Sequence, residues 1–245
     1  MDSSIVSYAL QYAGIITEIA LFFYLAWSSR WKWQGGVTFY LISLLVAELT
    51  RAWFLHAYGY LSPQFGYAYW TTDFLLVISL FVLVCLFFRR ACSHEDKLWS
   101  YIRLLLALVL VLVVGISGLC FSRHVSHLGG YFLVEFNQNL YFACLALNTL
   151  LYLLLQHIES TDDQLGLLVC GVGIQFAGPA ATFALLHLTA LERFAQSLNS
   201  LVMRLSTFGM LLVWAYALVH VKDKATVVTR REIPVLAEVT ANLNI

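Results

Sequence analysis

Charge is what this chain has least of. Of its 245 residues 11% are charged and 61% hydrophobic, against about a quarter charged and about half apolar in soluble domains. That excludes a soluble domain. Acids and bases balance at 14 each, so no basic surplus exists to recruit nucleic acid. Lysine is missing from the interior of every apolar run, the last of which reads Leu201 to Trp214 without one. A retinal Schiff base, which needs that amine, is thereby excluded, despite the rhodopsin flavour of Tyr69-Trp70-Thr71-Thr72-Asp73. The five cysteines (Cys85, Cys92, Cys120, Cys144, Cys170) contain no C-x-x-C pair. They spell out no metal site and read as small apolar fillers. Neither G-x-S-x-G nor H-E-x-x-H occurs, which removes the commonest hydrolase signatures.

What is present is a series of long hydrophobic runs. A membrane-spanning helix needs about 20 apolar residues, and counting such runs predicts seven, at 5–28, 37–58, 67–88, 98–121, 131–157, 165–188 and 198–221. The expected fold is all-α: a polytopic seven-transmembrane-helix bundle over 1–221, followed by a tail, 222–245, too short to fold alone. The first run follows an acid and no Lys or Arg, and it is too long for a signal-peptide core, so it is expected to stay on the protein. Lys and Arg gather in alternate connections: Arg30 and Lys32, Arg89 to Arg103, and Lys222 to Arg231, against Arg123 and Arg193 on the other side. The positive-inside rule then puts the N-terminus outside and the C-terminus in the cytoplasm, of a bacterial cytoplasmic membrane on this reading. The connection Ile158 to Asp163 breaks the pattern with acids alone, but acids weigh little in the rule. In the sixth run, small residues at 173, 177 and 181 allow a close helix contact, within the bundle or in a homo-oligomer. Pro179 predicts a kink there.

Ionisable groups inside such runs are costly and mark functional sites by default. A rise of about 1.5 Å per residue turns position into depth. By that measure Glu48 and Arg51 of the second run, Asp73 of the third, Glu135 with Asn137, Gln138 and Asn139 of the fifth and Arg204 of the seventh share a layer in the outer third. Arginine favours bidentate pairing with carboxylates, so Arg51 is expected to meet Asp73 or Glu48, and Arg204 to meet Glu135. The acid left over is either protonated or matched by a ligand. Glu18, near the middle of the first run, is a further candidate, and His56 and His187 flank the layer toward the outer surface. An acid/base group of Glu48, Asp73 and Glu135 for intramembrane catalysis is the weaker reading, because two arginines neutralise it.

Histidines at matching depths, His56 with His187 and His157 with His220, are the arrangement two b-type haems would need. Interfacial histidine, with its polar edge wet, is the simpler reading. Phe39-Tyr40, Arg51, Tyr58-Gly59-Tyr60, Tyr67-Ala68-Tyr69-Trp70 and Trp214-Ala215-Tyr216 together resemble a loose group of uncharacterised bacterial seven-span membrane proteins. The resemblance implies seven helices and no activity. The expected function is non-catalytic. It is binding of a small molecule or lipid headgroup from the outer side, a zwitterionic or anionic one to suit mixed acids and arginines, or service as the membrane subunit of a larger assembly. The rival is an ion- or proton-coupled carrier using Glu18, Glu48 and Asp73.

Overall fold

The computed structural model describes residues 3–27, 34–59, 61–93, 96–123, 130–158, 162–188 and 192–220, and within them the side chains of 3–9, 96, 119–123, 130–134, 183–188 and 192–200 fall outside the description. The helices are α1 (Ser3–Trp27), α2 (Gly35–Tyr58), α3 (Pro63–Ala91), α4 (Asp96–Arg123), α5 (Gly130–His157), α6 (Asp163–Leu188) and α7 (Glu192–Val219). All seven are long and apolar enough to cross a membrane. The protein is a seven-helix integral membrane bundle, as the apolar runs predict. The tail beyond residue 221 lies outside the described residues.

Counting apolar residues misses the polar first turns. α3 starts four residues early because Ser62 accepts from the Phe65 amide at 3.1 Å and Pro63 occupies the first turn, where its missing N–H costs nothing. The preceding Gly59 has φ +79°, a backbone that suits glycine. Its N–H closes α2 on the Leu55 carbonyl at 3.0 Å. This tight turn folds α3 back along α2, which sets Arg51 beside the first half of α3.

Helices α1, α2, α3, α5, α6 and α7 follow one another around the bundle, and α7 returns to pack on α1. α3 also touches α6, whereas α4 lies outside the ring against α5 and α3. Its Leu104 and Val111 are about two-thirds exposed, as expected of a helix whose partner is hydrocarbon. The core is sealed by large side chains. Trp214 is fully buried, its indole N–H donating to the Leu168 carbonyl at 3.0 Å and its ring meeting Tyr40 edge-on at 5.7 Å. A buried indole needs such an acceptor.

The close contact of α6 uses a different set of small residues from the predicted one. A side chain at Gly171 would strike the Trp214 indole at 2.7 Å, and one at Gly178 would overlap Ser206. These two, seven residues apart, are where α7 lies against α6. Gly173 abuts Asn148 of α5, while Ala177 and Ala181 are exposed. α6 runs on through Pro179, and the Thr182 hydroxyl donates to the carbonyls of Gly178 and Pro179 at 3.1 and 2.9 Å.

Candidate functional site

Arg51 stands seven residues from the last residue of α2, and Asp73 ten residues into α3, so the two lie roughly 10 and 15 Å from the α2–α3 end of the bundle. They meet. The Arg51 Nε donates to the Thr72 Oγ1 at 2.8 Å, its Nη2 reaches the Asp73 Oδ1 at 3.5 Å, and the guanidinium lies 4.4 Å from the centre of the Tyr69 ring. Stacking on an aromatic face suits a weakly hydrated cation. Thr72 can accept because its own proton goes to the Ala68 and Tyr69 carbonyls. From the other side the Asn137 Nδ2 of α5 donates to the Asp73 Oδ2 at 2.9 Å. Asp73 is thus held between α2 and α5.

Around this clasp lie Tyr40 and Tyr141, both buried and both within electrostatic reach of Arg51 and Asp73. Tyr40 is also within electrostatic reach of Glu18 of α1, and Glu18 of Glu48. Glu18 is 2% exposed and its Oε2 has no hydrogen-bond partner, and the Asn137 Oδ1 likewise has none. The cluster therefore joins α1, α2, α3 and α5, and its unmet atoms are acceptors.

The remaining expectations fare differently. Glu48 is half-buried and forms no ion pair; Arg51, three residues on, turns to Asp73 instead. Arg204 does not meet Glu135: among the described residues the ion pairs are Arg51–Asp73 and Arg90–Asp162. Depth alone suggested the match, but α5 and α7 make no close backbone approach and α6 stands between them. Gln138 is half-buried with no hydrogen bond to the cluster, and it is the preceding residue, Asn137, that reaches Asp73. Asn139, two positions on and so on another face of the helix, donates to the Ser117 Oγ of α4 at 3.2 Å. His56 is exposed in the last turn of α2, and the side chain of His187 lies outside the described residues. His157 and His220 end helices that are not neighbours, and His220 stacks on Tyr216 at 5.0 Å. Among the described residues no three His, Cys, Asp or Glu side chains converge as metal ligands would.

A second polar assembly at the other end of the bundle has no counterpart in the sequence reading. Arg90 of α3 binds Asp162 through Nε at 2.9 Å and Nη2 at 2.8 Å, and its Nη2 also reaches the Gln164 Oε1 at 3.5 Å. Asp162 caps α6 by accepting from the Leu165 amide at 3.0 Å, and Gln164 donates to the Ala217 carbonyl of α7 at 3.3 Å. One signal was available, namely an acid just before an apolar run, where a helix cap belongs.

No protein-family model, curated protein or solved structure matches the chain. The functional reading therefore rests on the geometry above.

Proposed function

We propose that the chain is a non-catalytic integral membrane protein whose buried cluster binds a small ligand carrying positive charge or hydrogen-bond donors. The ligand enters from the α2–α3 end, the side that the distribution of Lys and Arg makes external. The observation that carries this is the imbalance of the cluster. It holds three carboxyls (Glu18, Glu48, Asp73) and the guanidinium of Arg51, and its unpartnered atoms, Glu18 Oε2 and Asn137 Oδ1, are both acceptors. Buried charge without a partner is unfavourable by several kcal/mol, so the surplus acids call for protons or a cation. An anionic ligand would add to the surplus. The zwitterionic or anionic preference expected from two arginines is set aside here, because the Arg204–Glu135 pair does not form.

The test is thermal unfolding of the full chain in detergent against ethanolamine, choline and sodium. A ligand at a hundredfold excess over its Kd adds about 2.7 kcal/mol to stability. At least one of these cations should raise the Tm of the wild type, and Glu18→Gln should abolish the increase. A wild type that none of them stabilises, or a Glu18→Gln variant that keeps the full shift, would sink the reading. A second reading, an ion- or proton-coupled carrier, is favoured by one observation: Glu18 of α1 and Glu48 of α2, on packed helices, are within electrostatic reach of each other, as two acids along a proton path would be. It predicts proton flux into liposomes loaded with a pH dye, lost in Glu48→Gln, and binding without flux eliminates it.

A further inference from the structure

Between α2 and α3, on the outside of the bundle, runs a groove of 840 Å³. We infer that it is a binding site for one hydrocarbon chain of a membrane lipid, held lengthwise from a mouth formed by Gln64 and Tyr67. The site shares Thr72 with the charged cluster and stands whether or not that cluster binds a cation.

The first argument is chemical. The groove contains no charged residue, and four of its six hydroxyls, all but those of Tyr67 and Thr71, are bonded back to their own helix. Ser43 donates to the Phe39 carbonyl, Thr50 to Val46, Thr72 to Ala68 and Tyr69, and Ser79 to Leu76, at 2.7 to 3.0 Å. Side chains bonded back to their own helix ask nothing of an occupant. Hydrocarbon asks nothing in return.

The second argument is size. From Gln64 to Val82 the α3 wall extends roughly 27 Å, most of the thickness of a bilayer core. An extended hydrocarbon chain, far narrower than a helix about 10 Å across, lies along that length.

The third is continuity. The rims, Phe39, Val46, Leu75 and Val82, are exposed apolar side chains of membrane-spanning helices. The groove is a recess in the surface that already faces lipid, and its occupant comes from that lipid. Thr72 lines it and also accepts from Arg51, so a seated chain packs against the back of the clasp.

The experiment uses the full chain. Native mass spectrometry of wild-type protein exchanged into lipid-free detergent should retain one lipid per chain. In nanodiscs of phosphatidylcholine doped with a chain-spin-labelled analogue, the motionally restricted population should fall by one lipid per chain in Thr71→Trp and in Val46→Trp, each of which fills the groove. Leu104→Trp, on the exposed face of α4, should leave it unchanged. Wild type that carries no lipid overturns the proposal, as does a restricted population identical in all four proteins. Disulfide-linked dimers of Ser43→Cys, with no retained lipid, would show that a second copy covers the face and would overturn it equally.

Discussion

Among the described residues two Arg–Asp pairs join helices, and they are built to different standards. At the end where α3 meets α6, Asp162 receives two nitrogens of Arg90 and the amide of Leu165, while Gln164 carries the network on to α7. Donors and acceptors are matched there, and both partners keep some exposure, with side chains 23% and 31% accessible. At the other end Arg51 makes its short bond to Thr72 and only a 3.5 Å contact to Asp73, with unpartnered acceptors nearby. A satisfied network fastens helices together. An unsatisfied one among buried side chains carries a cost that selection tolerates where a ligand or proton completes it. The difference between the ends separates a structural clamp from a candidate binding site more sharply than the presence of charge does.

That contrast can be broken by substitution. The largest effect is expected from Arg51→Ala, which strips the buried Asp73 of its cation and should cost about 3 kcal/mol, read as a loss of thermal or SDS-resistance stability in detergent. A smaller loss is expected from Asp162→Ala. Removing the helix cap costs about 1 kcal/mol, and a half-exposed ion pair adds up to about 1 kcal/mol. If the order of these two is reversed, the clamp rather than the clasp is the energetic centre. Glu18→Gln should change stability least, by no more than about 0.5 kcal/mol, since the oxygen it replaces makes no hydrogen bond that could be lost. A loss of several kcal/mol there would mean that Glu18 is already well paired and that the cluster is complete without a ligand.

How much of this could be read from the sequence follows from what each signal measures. Run length and hydropathy fix the number of spans, because every backbone group in hydrocarbon must bond within its own helix. Counting residues along a span fixes height, and height brought Arg51 and Asp73 together correctly. It says nothing about which way a side chain points around the helix or which helices adjoin. Arg204 and Glu135 share a level, yet α6 intervenes, and Asn137 rather than Gln138 reaches Asp73 because one residue is about 100° of rotation. The Arg90–Asp162 clamp went unread for another reason. Both residues were weighed for membrane orientation, where acids count for little, and not as a cap and its partner.

Closure of the ring by α7 against α1 also has a bearing on biogenesis. The hydroxyl of Tyr24 donates to the carbonyl of Leu218, 194 positions later. Helix α1 must therefore wait for α7, made later than the other described helices, before the flank around Tyr24 is covered. Until then α1 has α2 alone beside it, and a nascent chain arrested before α7 would leave that flank open to quality-control proteases.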